Sequence, residues 1–279
     1  MVENSNLRIG LFDSGVGGIT VLQQIKAQMP QESVLYFGDT ARLPYGTKSP
    51  QEILQYVREI IDWMIGQGVK MIIMACNTSS ALALETVRDE YNIPILGLIL
   101  PGARAALQQG SRIGVIATPA TVASNAYGRA IWEIDPTASV WQVACPEFVM
   151  LIEQNKIDSS QTIEVARKYL QPLIERDIDT IIYGCTHYRH LEKIFFSILP
   201  RSVRAIDPAR HIVIAANKEL KLMGLKSDRA TASTRFCVSG SAPQFAHLAQ
   251  KWLGCFPQVE RVRVAKTFPM AIDSGSFIK

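Results

Sequence analysis

The stretch VKMIIMACNTSS, residues 69–80, decides the fold. It begins as an apolar run typical of a buried strand, and from Cys76 onward it becomes polar with a helical period. Residues 180–188, TIIYGCTHY, repeat this order with an apolar run, then Cys185, then hydroxyl and imidazole side chains. A strand that passes directly into a helix is the unit of a parallel sheet covered by helices, so both stretches predict an α/β fold.

The alternation of strands and helices extends outward from both stretches. Residues 7–13, 33–39 and 93–99 are further apolar runs, each followed by a segment of helical period, and after residues 108–111 the series begins again. The restart predicts two lobes of related layout, each a mostly parallel sheet flanked by helices. Ligands of such sheets bind at the carboxyl ends of the strands, so we expect the functional site there.

The composition limits the class of protein. The chain has 279 residues, a net charge of +4 and five cysteines, which predicts reduced thiols and no disulfide scaffold. The N-terminus lacks an apolar signal segment, and the longest apolar run, residues 95–100, is far shorter than the roughly 20 residues of a membrane span. Residues 201–279 carry 13 basic and 5 acidic side chains without interleaved aromatics, as on a solvated surface. We therefore expect a cytoplasmic protein without membrane or nucleic-acid partners.

Cys76 and Cys185 are the first candidates for chemistry. Each follows a strand where a helix should begin, and a helix N-terminus favours a thiolate. Two thiols on opposite sides of one carbon can remove a proton from one face and return one to the other, which a single fixed base does not readily do. A coupled pair provides the thiolate and the thiol that this requires. Lowering one pKa from about 8.5 toward 7 would supply roughly ten times more thiolate.

Asp13 and Ser14 end the first predicted strand, within FDSGVGGIT, residues 12–20. The glycines leave backbone amides bare at a helix start, where they could bind a carboxylate. The spacing matches neither the dinucleotide-binding fingerprint nor the Walker phosphate loop. The alternative is a purely structural tight turn with Asp13 as the helix cap.

Other assignments remain open from the residues alone. Cys185 and His187 could form the nucleophile pair of a thiol hydrolase, which leaves Cys76 without a role. Cys185, His187 and His190 could ligate a metal, but no second pair of ligands completes such a site. The remaining cysteines are expected to be structural, and they are Cys145, Cys237 and Cys255.

Taken together, these stretches resemble the glutamate racemases of the cofactor-independent aspartate/glutamate racemase superfamily. The resemblance covers about residues 9–222 and rests on seven ordered motifs, GLFDSGVGGITVL, GDTARLPYG, ACNTSSA, PGARAA, IGVIATPATVAS, CPEFVMLIE and GCTHYRHL. It implies interconversion of L- and D-glutamate by two thiol bases, without pyridoxal phosphate, metal or any other cofactor. It further implies a homodimer, a supply of D-glutamate for peptidoglycan, and lobes formed by 1–98 with 207–279 and by 99–206, with the substrate between them.

The resemblance also implies roles for individual residues. Cys76 would abstract the α-proton of D-glutamate and Cys185 that of L-glutamate, with Asp13 as a supporting acid beside Cys76. His187 would act with a carboxylate partner, Glu153. The implied substrate contacts are Ser14, Pro44, Tyr45, Gly46, Asn77, Thr78, Thr118, Thr121 and Thr186.

Two alternatives to a glutamate racemase are kept. One is a racemase or decarboxylase acting on aspartate or another carboxylic acid, and the other is a two-lobed carboxylate-binding protein without activity. His187 favours glutamate, because related aspartate racemases usually carry an acidic residue there. Arg189 and Pro208 depart from the family pattern, which commonly has proline and a small polar residue at these positions.

Overall fold

The computed structural model describes residues 5–228 and 232–264, and their strands form two sheets. The strands are β1 (Arg8–Asp13), β2 (Val34–Gly38), β3 (Val69–Met74), β4 (Ile95–Gly97), β5 (Arg112–Ala117), β6 (Ser139–Ala144), β7 (Thr180–Gly184), β8 (Arg204–Ile206), β9 (Thr234–Val238) and β10 (Val259–Arg261). The larger sheet has the order β10-β9-β2-β1-β3-β4 and the smaller sheet β6-β5-β7-β8. All neighbouring strands run parallel. The predicted α/β fold with two helix-flanked parallel sheets is confirmed.

Helices connect the strands and cover the sheets. In the described residues they are α1 (Ile19–Gln28), α2 (Pro50–Gly66), α3 (Asn77–Glu90), α4 (Ile99–Leu107), α5 (Pro119–Ser124), α6 (Ala126–Trp132), α7 (Glu147–Glu153), α8 (Ser160–Ile174), α9 (Glu192–Ile198), α10 (Pro208–Leu222) and α11 (Ala242–Leu253). Two segments, Tyr45–Thr47 and Thr186–Leu191, are 3₁₀-helical. Among residues 5–228 and 232–264, no helix combines the length and apolar character needed to pass through a membrane.

The strands β1, β2, β3, β5 and β7 bury both of their faces, because helices lie on either side of each sheet. Neighbouring residues of a strand point to opposite faces. In β3, Ile73 packs into one core cluster and Ile72 into another, and in β7 the same alternation separates Tyr183 from Ile182. Strands buried on both faces need continuous apolar runs, which is why such runs predicted the sheets.

The chain passes from one sheet to the other and then returns. Strands β1–β4 belong to the larger sheet, β5–β8 to the smaller one, and β9 and β10 again to the larger one. The division into 1–98 with 207–279 and 99–206 remains a proposal. Part of the basic segment 201–279 lies outside the described residues.

Side chains on elements attached to the two sheets meet behind the predicted site. The rings of His190 and Trp252 are stacked, with 3.9 Å between their centroids and 20° between their planes. Arg189 Nε lies 3.8 Å from Asp207 Oδ2, and Pro208 begins α10 directly after the Asp207 cap. Both departures from the family pattern therefore lie at this junction.

Candidate active site

The segments that follow β1, β3, β5 and β7 line one pocket of about 470 Å³, open space at its mouth included. Eleven of the fourteen predicted site residues line it, and these are Ser14, Pro44, Tyr45, Gly46, Cys76, Asn77, Thr78, Thr118, Cys185, Thr186 and His187. The other three, Asp13, Thr121 and Glu153, contact lining residues from behind.

Cys76 ends the connection from β3 and immediately precedes α3, as the sequence predicts. Burial raises the pKa of the Cys76 thiol to about 12, and the charge of Asp13 adds to the rise, while hydrogen bonds with Ser79 oppose it. The prediction that the helix N-terminus favours a thiolate is therefore wrong for Cys76. Desolvation of the charged form outweighs the helix dipole here, so Cys76 carries its proton at neutral pH.

Cys185 occupies the corresponding position in the smaller sheet. It follows β7 and is buried, with 7% of its surface exposed. The segment that follows it in sequence, Thr186–Leu191, is a 3₁₀ helix and not the start of an α-helix. The Cys185 Sγ lies 3.9 Å from His187 Nδ1, within hydrogen-bond distance for sulfur.

His187 links Cys185 to a carboxylate. Its Nε2 lies 2.8 Å from Glu153 Oε1, at the end of α7. Burial alone would lower the pKa of His187, but its hydrogen bonds and charge interactions with Cys185 and Glu153 raise that pKa well above its ordinary value. The raised pKa favours the imidazolium form of the ring, in which both nitrogens are donors, one on the side of Glu153 and one on the side of Cys185.

Asp13 is the last residue of β1, directly before the glycine-rich loop, and is fully buried. Its Oδ1 accepts the N–H of Gly15 at 2.8 Å, and its Oδ2 accepts the hydroxyl of Thr186 at 3.1 Å. The carboxylate thus takes one of the loop amides that could have bound an anion. It does not cap α1 as the structural alternative predicts, because the N-cap of that helix is Gly18 and no side chain caps it. The same carboxylate joins the first loop to the residue after Cys185, and Ser14 still faces the pocket.

Replacing Asp13 by asparagine is expected to stabilise the protein increasingly as the pH rises. Burial is the largest cause of the raised pKa of Asp13, and His187 and the Gly15 N–H only partly offset it. The folded state therefore binds this proton more tightly than the unfolded chain. The resulting stability is complete below the ordinary pKa of 3.8 and is lost as the pH passes the folded pKa. Asparagine does not titrate, so the variant does not lose this stability. The melting temperature of the variant minus that of the wild type should therefore increase between pH 4 and pH 8.

Asp135→Asn is the matched control. Its exposed carboxylate accepts hydrogen bonds from the Thr137 hydroxyl and N–H, which lower the pKa of Asp135. The stabilisation that the Asp135 carboxylate provides is therefore present at neutral pH and lost on acidification. The melting-temperature difference for Asp135→Asn should thus change with pH in the opposite direction to that for Asp13→Asn. A melting-temperature difference for Asp13→Asn that does not change with pH would contradict the raised pKa.

Hydroxyl groups form the wall between α3 and α5. The Thr78 Oγ1 lies 2.9 Å from that of Thr118 and 3.3 Å from that of Thr121, and the last two are 2.9 Å apart. Gly46 approaches this wall so closely that a β-carbon there would lie 2.6 Å from Thr118 Cβ. The glycine is therefore required by the close approach of the two segments.

Three residues that sequence reasoning missed support the Tyr45 side of the pocket. The hydroxyl of Tyr45 donates to Asp39 Oδ2 at 2.5 Å. Arg42 lies 3.5 Å from the same oxygen and forms an ion pair with the buried Glu59 of α2. Asp39 and Arg42 stand inside the GDTARLPYG motif, which was the available signal, whereas Glu59 gave none.

Four lining residues were also missed, and these are Thr47, Pro119, Pro146 and Val149. Thr47 adjoins the predicted Gly46, and Pro119, Pro146 and Val149 stand inside two of the quoted motifs, so proximity in sequence could have found all four. Val149 is an apolar residue of α7 that reaches the pocket only through the packing of that helix.

The alternative metal site is not assembled. His190 stacks on Trp252, and burial, followed by the nearby charges of His187 and Arg189, lowers its pKa to about 3. Within residues 5–228 and 232–264, no cluster of three or more His, Cys, Asp or Glu side chains is arranged to hold a metal. The other cysteines lie off the pocket, with Cys145 and Cys237 buried and Cys255 exposed.

The pocket lining brings two thiols and an imidazole together, and the carboxyl groups of Asp13 and Glu153 lie directly behind them. The model of the Asp/Glu/Hydantoin racemase family matches residues 18–216. The chain belongs to this racemase family. Its membership confirms the resemblance expected from the seven motifs.

Relatives within the racemase family match nearly the whole chain. The glutamate racemase of Synechocystis is 63% identical over 262 residues, which cover 94% of each chain. The glutamate racemase of Gloeothece citriformis is 64% identical over 254 residues, 91% of each chain.

Solved racemase structures share the fold. A Bacillus anthracis glutamate racemase aligns with a TM-score of 0.91 and 37% identity, covering 93% of this chain and 98% of the other. The Francisella tularensis enzyme, determined in complex with D-glutamate, aligns with a TM-score of 0.88 and 34% identity at the same coverage. The described strands and helices of this chain therefore share the two-lobed architecture of these racemases.

Proposed function

We propose that this protein interconverts L- and D-glutamate, with Cys76 and Cys185 as the two bases. One observation carries the proposal: the two thiols follow strands of different sheets and line the same pocket. A thiol hydrolase uses one catalytic cysteine, whereas inversion at a carbon uses two bases, one on each face. The similarity to glutamate racemases over more than nine-tenths of the chain supports glutamate as the substrate.

Proton transfer from L-glutamate begins with Cys185 as thiolate and Cys76 as thiol. Cys185 takes the α-proton, and the electron pair of the broken C–H bond stays on the α-carbon. The S–H bond of Cys76 then breaks and its proton forms the new C–H bond on the opposite face. The products are D-glutamate, a Cys185 thiol and a Cys76 thiolate, from which the reverse reaction starts. The high pKa of Cys76 suits the arrangement that accepts L-glutamate.

His187 and Asp13 support the two thiols. The imidazolium of His187 donates toward Cys185 and is held by Glu153, an arrangement that stabilises negative charge on sulfur. Burial, followed by the charge of Asp13, raises the pKa of Cys76 and keeps that thiol protonated. Groups of this kind typically contribute about 10²- to 10⁴-fold to proton transfer.

The pocket offers neutral donors for a substrate with two carboxylates. Ser14, Thr78 and Asn77 line it, whereas the hydroxyl of Thr186 already donates to Asp13. The amide nitrogen of Asn77 is buried without a hydrogen-bond partner in the described residues. An unpaired buried donor is costly, and a carboxylate oxygen satisfies it.

The function is tested by incubating purified protein with L-glutamate in heavy water with a chelator and without added cofactor. The circular dichroism of L-glutamate should decay to zero. At low conversion the D-glutamate formed should carry deuterium at the α-carbon, while the remaining L-glutamate keeps protium, since the proton delivered comes from the second thiol. An unchanged signal with folded protein would rule out the racemase, and protium in the product would rule out two bases.

Aspartate is the second candidate substrate. It has the same two charges with a side chain one methylene shorter. A missing methylene is worth roughly 10- to 200-fold in specificity, so kcat/KM for aspartate should be lower by about that factor. Equal turnover of the two acids would make this chain a broad dicarboxylate racemase.

The remaining expectations concern the compartment, the use of the product and the oligomeric state of the protein. Catalytic thiols must stay reduced, and the five free cysteines fit a reducing compartment such as the cytoplasm. D-glutamate would supply peptidoglycan synthesis and so cell shape. A homodimer follows from the family resemblance, and light scattering of the eluted protein measures it directly.

A further inference from the structure

We propose that Tyr127 is a positioning residue that orients the amide of Asn77 toward the substrate and holds the two cysteine-bearing segments together. The inference rests on the proposed function and names a residue that does not line the pocket.

The hydroxyl of Tyr127 forms a hydrogen bond that joins elements of the two sheets. It donates to Asn77 Oδ1 at 2.7 Å. Asn77 begins α3, directly after Cys76 and β3 of the larger sheet, whereas Tyr127 lies on α6, between β5 and β6 of the smaller sheet. Tyr127 is completely buried and Asn77 is 2% exposed, so water does not compete for this bond.

The direction of the bond determines which end of the amide faces the pocket. Burial, followed by the charges of Asp207 and Cys185, raises the pKa of Tyr127 well above its ordinary value, so the phenol stays protonated and donates. Its acceptor is the carbonyl oxygen of Asn77, and the amide nitrogen is then left without a protein partner in the described residues. In a pocket for carboxylates, a free N–H donor is the productive orientation and a free carbonyl oxygen would repel the substrate.

The ring of Tyr127 packs on the other cysteine-bearing segment. A β-carbon at Gly184, the residue before Cys185, would lie 3.2 Å from Tyr127 Cε2. The hydroxyl of Tyr127 therefore contacts Asn77, which follows Cys76. Its ring contacts Gly184, which precedes Cys185. The separate chemistry of hydroxyl and ring allows the two contacts to be tested separately.

Tyr127→Phe keeps the ring and removes the hydroxyl. Without its partner the Asn77 amide is free to turn, and a buried hydrogen bond of this kind is worth about 3- to 10-fold in binding. The substrate carboxylate is present in the ground state and the transition state alike, so the loss should raise KM with little change in kcat. We expect KM to rise about 3- to 10-fold for both enantiomers, with kcat within about 2-fold of the wild type.

Tyr169→Phe is the matched control. It removes another tyrosine hydroxyl of the smaller lobe, which donates to Glu147 Oε1 at 2.7 Å, from a residue that does not line the pocket. Its KM values should equal those of the wild type even if its melting temperature falls.

A double-mutant cycle with Asn77→Ala decides the mechanism. If Tyr127 acts through the Asn77 amide, adding Tyr127→Phe to Asn77→Ala should change KM by less than about 2-fold. The double variant leaves no unpaired amide oxygen, so it keeps the test available even if Tyr127→Phe alone does not fold. Effects that multiply in the double variant, or unchanged KM in folded Tyr127→Phe, would overturn the inference. Inactive wild-type protein would instead overturn the proposed function.

Discussion

Replacing either Cys76 or Cys185 by serine is expected to stop net racemisation of glutamate. A serine hydroxyl is a far weaker acid than a thiol, so it neither forms the base at neutral pH nor gives up its proton as readily. Each thiol acts in every turnover, first or last according to the direction, so both single variants should lose about 10³-fold or more in kcat in both directions. The measurement is circular dichroism starting from each enantiomer.

Cys237→Ser and Cys145→Ser are the controls for this experiment. Both cysteines are buried and free, and neither lines the pocket. These variants should lose stability and keep turnover, because a polar hydroxyl replaces a small apolar group in the core. Full activity in either active-site variant would contradict the two-base mechanism, since one thiol would then be dispensable.

Gly17→Ala is expected to reduce kcat by about 10²-fold or more, although Gly17 contributes no functional group. A β-carbon there would overlap Thr186 Oγ1 and would lie 2.5 Å from His187 Nδ1. The added methyl must displace the imidazole from its 3.9 Å contact with Cys185. A shift of about 1 Å in a positioned catalytic group can cost about 10²-fold. Steady-state kinetics in both directions measures it.

Gly66→Ala is the matched glycine control. No atom lies within 4 Å of a β-carbon at this position, which is the last residue of α2. The variant should keep wild-type kinetics and gain about 0.5–1 kcal/mol of stability. If Gly17→Ala also kept wild-type kinetics, the close packing of the glycine-rich loop on His187 would have no part in catalysis.

The raised pKa of Cys76 changes how the pair of thiols is understood. Position before a helix suggested a thiol lowered toward neutrality, but burial and Asp13 act in the opposite direction. The two segments that look alike in sequence are therefore electrostatically unlike, with a carboxylate acting on Cys76 and an imidazolium beside Cys185. The raised pKa of Cys76 keeps the proton on that thiol at neutral pH.

The sequence by itself determined the order of strands and helices, because apolar periodicity and chain direction are local properties. It also predicted that Cys76 and Cys185 follow corresponding strands of the two sheets, at the carboxyl ends where ligands of parallel sheets bind. The family motifs identified most of the pocket, since those residues adjoin strand ends.

Tertiary structure alone decided which groups act on which. The bonds from Tyr127 to Asn77 and from His187 to Glu153 join residues 50 and 34 positions apart, and the buried Glu59 supports Arg42 from another helix. No periodicity signals such pairs. The pKa values of Cys76, Asp13 and His187 likewise depend on desolvation and on neighbouring charges. Desolvation and these charge interactions arise only when distant segments pack together and exclude water. For this reason the sequence located the two thiols, but it did not show which of them holds the proton.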